Sequence, residues 1–120
     1  MRTSKVLNWI VALAGLWELL SPFILGYSAM TVAMWNAIIF GVILIITGLW
    51  AALTTEMGAE KILNWFNALV GLWLVVSPFI LTFSAAMVPL WNGIIVGVVV
   101  IILALVAVLA FTGSTTSPQA

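Results

Sequence analysis

Cysteine and histidine are both absent from the 120 residues. That excludes disulfides, thiol nucleophiles, Cys/His zinc or haem sites and imidazole acid–base chemistry. Charge is nearly absent as well: three Lys/Arg and three Asp/Glu, 5% of the chain, with a formal net charge of +0. These are Arg2, Lys5, Glu18, Glu56, Glu60 and Lys61, and none follows from Ile62 to Ala120. So little charge, and balanced, gives no field to steer nucleic acid or an acidic ligand. An ordinary soluble domain is about 25% charged and roughly 45–50% apolar. Here 66% of residues are hydrophobic. Such a supply cannot clothe a surface in water. It suits lipid, and the chain reads as an integral membrane protein whose first partner is the bilayer.

Four apolar runs are present, at about 6–27, 33–54, 62–83 and 89–111. A helical span needs roughly 20 residues to cross about 30 Å of hydrocarbon, and each run is long enough. Strands of a barrel need only about 10 residues of alternating character, which these are not. The first run follows Arg2 and Lys5 and could pass for a secretory signal, but it is too long for one. It also recurs deep in the chain, so it is expected to remain as structure.

That recurrence is the chain's main feature. Aligning 5–53 with 61–109 gives 28 identities in 49 positions, without a gap. Residues 8–17, NWIVALAGLW, return as NWFNALVGLW at 64–73, and SPFIL stands at both 21–25 and 77–81. The chain therefore divides into a first hairpin repeat, 1–56, a second, 57–111, and a polar tail, 112–120, expected to be disordered. The expected fold is all-α: four transmembrane helices as two tandem, parallel hairpin repeats. Because each repeat is an even hairpin, a pseudo-two-fold axis should run along the membrane normal. The Lys/Arg residues precede span one or lie between spans two and three. They put both termini on the cytoplasmic side, most simply of a prokaryotic plasma membrane.

Several motifs carry physical meaning. Pro22 and Pro78 lack an N–H and strand the carbonyls of Glu18 and Leu74, which lipid cannot satisfy. Ser21 and Ser77 can bond back to a carbonyl one turn earlier. The simple reading is a kink or a helix end; the sharper one is a broken helix lining a site. Trp9 and Trp65 fall at the inner boundary and Trp35 and Trp91 at the outer one, as an aromatic belt. Trp17 and Trp73 lie deeper and read as packing residues. Small residues form stripes, with Gly15 and Gly71 in spans one and three, Gly41 and Gly48 in span two, and Gly93 and Gly97 in span four. Such stripes let backbones approach closely, within the chain or between chains, and point to self-association. Asn36 and Asn92 follow the outer tryptophans, where capping is the plain role and a functional one is open. Asn8 and Asn64 precede the inner tryptophans.

Glu18 is the one ionisable group inside a span, and intramembrane carboxylates are functional candidates. Its counterpart in the second copy is Leu74, and no span holds Lys, Arg or His to pair with it. As a structural residue it would sit protonated, bonded to Ser21 or to a tryptophan indole.

Gly-Leu-Trp, then Ser-Pro-aromatic, then Trp-Asn and a downstream Gly, all twice over, resembles the SPW repeat family. The likeness covers about 5–110. It implies a small membrane protein whose repeat is a pair of transmembrane helices, and it implies no particular activity. Phe23 and Phe79 stand where that family has tryptophan, so an indole donor is lost there.

No cofactor or metal site is expected. Nor is an enzyme, since Glu18 would be a general acid with no partner group. The leading expectation is a structural or assembly module that packs with itself, as a homo-oligomer, or with another membrane protein. The alternative is a small proton-linked transporter or channel using Glu18. Four short spans with one Glu in the first resemble the outline of small multidrug resistance transporters. Their motif around the Glu is missing, however, and they are not built from two near-identical hairpins.

Overall fold

The computed structural model describes residues 3–81 and 85–116, with side chains up to residue 110. It contains four helices: α1 (Thr3–Ile24), α2 (Thr31–Leu53), α3 (Met57–Ile80) and α4 (Met87–Thr116). All four are long and apolar enough to cross a membrane, α4 over Met87–Ala110. The protein is an all-α membrane protein. At 1.5 Å per residue the 24 residues of α3 span about 36 Å, enough for the hydrocarbon core. α4 is rich in valine and isoleucine, which are only modest helix formers in water. In lipid the backbone must bond to itself, and that requirement overrides the side-chain preference.

The helices begin earlier than the apolar runs. α1 takes in Lys5 and α3 takes in Glu60, because these two residues pair with each other inside the bundle. The connector between α2 and α3 shrinks accordingly to Thr54–Glu56, where the Thr54 Oγ1 accepts the Glu56 N–H at 3.2 Å. The tail also differs from expectation. α4 continues to Thr116, since 111–116 holds no proline, and the next one, Pro118, disfavours helix only just before itself. Residues 117–120 of the expected tail lie outside the described residues.

α1 packs most closely on α2 and α3 on α4, with α1 also touching α4 and α2 touching α3. Glycine makes the close pairs possible. A methyl placed on Gly41 would lie 2.6 Å from the Leu19 nitrogen, and one on Gly97 would lie 2.5 Å from the Gly71 carbonyl. Gly15 meets Gly41 and Gly71 meets Gly97 backbone to backbone, while Gly48 lies against Ala12 and Gly93 against the Leu74 carbonyl. All six glycines are thus used inside the hairpins. Of the two arrangements expected of these stripes, within the chain or between chains, the glycines make the first.

The interior is layered. Val11, Leu44, Val70, Leu74, Val96 and Val100, drawn from all four helices, form a buried apolar layer. Polar side chains collect on either side of it. One group lies where α1 and α3 begin, the basic end. The other lies where they finish, the proline end. Outward-facing side chains are apolar, Ile62 and Leu109 being 71% and 68% exposed. In water this would be an aggregating surface, whereas in a bilayer it is the lipid contact. Trp9, Trp35, Trp65 and Trp91 stand outward among them, as do Phe23 and Phe79.

Candidate functional site: polar clusters at the two ends of the bundle

At the proline end, the fold first solves a backbone problem. Proline at 22 deprives the Glu18 carbonyl of its helical donor, and the Ser21 hydroxyl replaces it at 2.8 Å. Ser77 does the same for Leu74 at 3.2 Å. A serine just before a proline reaches the one carbonyl that the proline strands, so the motif repairs itself. α1 closes two residues after Pro22. There Gly26 takes a left-handed φ of 81°, and the Tyr27 N–H bonds the Pro22 carbonyl at 2.9 Å.

Two cross-hairpin clamps are built on these serines. In the first, Asn92 of α4 donates to Ser21 Oγ of α1 at 3.0 Å and accepts the Trp17 indole N–H at 2.9 Å. In the second, Asn36 of α2 donates to Ser77 Oγ of α3 at 3.0 Å and accepts from Trp73 at 2.9 Å. The same three residue types, taken from opposite hairpins, make the same bonds in both. Asn36 and Asn92 are sixth in their helices and buried, so they bridge hairpins and do not cap. Trp17 and Trp73 are donors as well as packing groups. The indole fixes which end of each amide points inward.

The first clamp carries two residues that the second lacks. Glu18 is 2% exposed, and its Oε1 accepts from Asn92 Nδ2 at 3.0 Å. It lies about 9 Å below the end of α1 at 1.5 Å per residue. The expected bonds from Ser21 or an indole to this carboxyl are replaced by the Asn92 amide, because Ser21 serves the backbone and Trp17 serves Asn92. Tyr27, the chain's only tyrosine, reaches in from the connector. Its hydroxyl lies 2.8 Å from Ser21 Oγ and 3.1 Å from Asn92 Nδ2, the longest of three contacts that share that amide's two protons. Ser21 has spent its single proton on the Glu18 carbonyl, so Tyr27 is the donor between the two. Burial pushes the Tyr27 phenol up to about 12. The hydrogen bond with Ser21 opposes that rise, the nearby Glu18 charge adds to it, and the Asn92 bond opposes it.

Asn92 has a second environment. With Leu25, Met87, Val88, Trp91 and Ile95 it lines a groove of about 370 Å³ that opens on the surface of the bundle.

The basic end holds a cluster that sequence reasoning passed over. Glu60 of α3 is fully buried. Its Oε1 lies 3.1 Å from the Lys5 ammonium and its Oε2 accepts from Asn8 at 2.8 Å. Lys5 also donates to the Ala51 and Thr54 carbonyls at 2.7 and 2.6 Å, capping the C-terminal end of α2. There a cation meets both the free carbonyls and the negative pole of the helix. Deeper in, Thr47 of α2 bonds Asn67 of α3. Asn64 donates to the Glu60 carbonyl at 3.0 Å.

Among the described residues, four buried side-chain atoms lack a hydrogen-bond partner: Asn8 Oδ1, Asn64 Oδ1, Asn67 Nδ2 and Glu18 Oε2. Only the last belongs to an ionisable group. Among those residues, no three His, Cys, Asp or Glu lie together as metal ligands.

The signals for the clusters were present in part. Glu18, Ser21, Ser77, Asn36 and Asn92 stand out as polar residues in apolar runs, whereas Tyr27, Glu60 and Lys5 read as connector or flanking residues. The departure of Glu60 from its counterpart Ser4, itself buried, was a usable hint.

The paired clamps are built from the same tryptophan, serine and asparagine that recur in the sequence. No curated protein and no solved structure matches the chain. The family model described as the SPW repeat domain matches residues 5–107, across both hairpins and every clamp residue, and the chain therefore belongs to the SPW repeat family.

Proposed function

We propose that this protein is a non-enzymatic membrane module, a compact four-helix unit that packs with itself or with another membrane protein. The layered interior carries the reading. A buried apolar layer from all four helices separates the two polar ends, and the polar side chains at each end bond from one hairpin to the other. Such an interior supports rigidity and, among the described residues, offers no polar lumen for a solute. Lys5 and Lys61 at one end support termini on the cytoplasmic side, in the plasma membrane of a prokaryote. The two sequence copies support a common descent of the hairpins by duplication, with parallel insertion.

Mass measurement and crosslinking in lipid nanodiscs test the proposal. The expected outcome is a defined oligomer, or a stable complex with one membrane partner. A monomer that captures no partner from its native membrane contradicts it.

A second reading has one observation in its favour. Glu18 is buried with an unpartnered oxygen, where the second copy manages with leucine. A small proton-linked transporter or channel would use such a carboxyl. It would also have to open the apolar layer.

A further inference from the structure

The Trp–Asn–Ser clamp works without a carboxyl, since Leu74 occupies the place of Glu18 in the second copy. Clamping therefore accounts for Trp17, Ser21 and Asn92, and leaves Glu18 unexplained. A carboxyl 2% exposed, with Oε2 unpartnered, lowers stability where it stands. Its neighbour Asn92 is also a wall of the 370 Å³ groove, whose other lining residues are apolar. One asparagine thus connects an open apolar groove with a buried, half-satisfied acid.

We propose that the groove and Glu18 together bind a membrane-partitioned primary amine. The alkyl chain lies along Leu25, Met87, Val88 and Ile95, and the ammonium takes Glu18 Oε2 as its acceptor. The chemistry selects this class. A lone carboxyl oxygen in a low dielectric is best met by a charged N–H donor. Trp91 in the same wall adds an aromatic ring that attracts a cation. Apolar walls disfavour a hydrated inorganic ion. An aminophospholipid headgroup would bring a phosphate, and residues 6–55 and 62–120 contain no Lys or Arg to meet it. The ligand is therefore a free amine. This inference goes beyond the structural role and does not depend on oligomer formation.

Protons compete for the same carboxyl, so binding weakens as pH falls. No other acid or base of the packed elements intervenes. α2 and α4 carry no charged residue, Lys5, Glu60 and Lys61 lie at the basic end, and Tyr27 alone shares the site.

The test is a titration of the full chain in phosphatidylcholine nanodiscs with octylamine, against octanol as the uncharged twin, read by tryptophan fluorescence. Saturable octylamine binding is expected, roughly tenfold or more tighter than octanol. Glu18→Gln and Glu18→Leu, checked for unchanged thermal unfolding or greater stability, should bring the two probes level. Equal binding of both probes to the unaltered protein overturns the proposal whether or not the variants fold. So does octylamine binding that Glu18→Gln leaves intact. Loss of octylamine binding in phosphatidylethanolamine nanodiscs assigns the site to a lipid headgroup and overturns it as well.

Discussion

A proline in a lipid-embedded helix strands a carbonyl, and the residue before it decides how much that matters. Ser21 and Ser77 each give their only proton to that carbonyl and then accept from an asparagine of the other hairpin. One hydroxyl thus repairs a helix and joins two hairpins. Individual side-chain bonds between membrane helices average about 0.6 kcal/mol and reach about 1.7, so the clamps stabilise through their number. Phe23 and Phe79, which follow the two prolines, take no part in these bonds. Both are 59% exposed and face away from the clamps, so an indole donor there would serve the membrane interface and not the bundle. Tyr27 gives a prediction at this scale. Its phenol is raised to about 12 in the folded protein, above the usual value of about 10. Stability from the neutral phenol is fully present below pH of about 10 and is lost as pH rises towards about 12. Because the chain has one tyrosine, phenolate absorbance reports it alone. The folded protein should titrate late, and Tyr27→Phe should lessen the alkaline loss of stability. Titration at the ordinary value in folded protein would mean the hydroxyl is not in the cluster.

Helix pairs respond to different changes. Backbone contact between α1 and α2 depends on Gly41, where an added methyl meets the Leu19 backbone and nothing flexible can yield. Gly41→Ala and Gly97→Leu should each lower thermal stability by about 1–3 kcal/mol, the leucine more. Gly58, with open space around the same added methyl, is the control. Gly58→Ala should be neutral or stabilise by about 0.5–1 kcal/mol through helix propensity. Equal effects at Gly41 and Gly58 would show that the close pairing is incidental. Between α1, α2 and α3 the tie is electrostatic. Lys5→Met removes a cation from beside the buried Glu60 carboxylate and a donor from the Ala51 and Thr54 carbonyls. Breaking a buried pair from one side costs about 3–5 kcal/mol. Lys61, the counterpart of Lys5, is exposed, and Lys61→Met should fall within about 0.5 kcal/mol of the unaltered protein. Thermal unfolding of both variants in one detergent compares them directly.

For the molecule as a whole, composition and length made the four spans legible, because lipid leaves a long apolar segment little choice but helix. The repeat made the equivalence of Ser21 with Ser77 and of Asn36 with Asn92 legible too. Their partners were not. A side chain's neighbour across the bundle depends on rotation and register between helices, which a single sequence does not record. Lys5 therefore read as a topology signal when it is also a cap and an ion-pair partner, and Glu60 read as connector charge when it is fully buried. A closed, polar-clamped interior, as proposed above, should carry no protons across the membrane. Proton flux into liposomes under an imposed pH gradient tests it most directly, with unaltered protein and Glu18→Gln side by side. No flux above empty liposomes is expected from either protein. Flux through the unaltered protein that disappears in Glu18→Gln would contradict it.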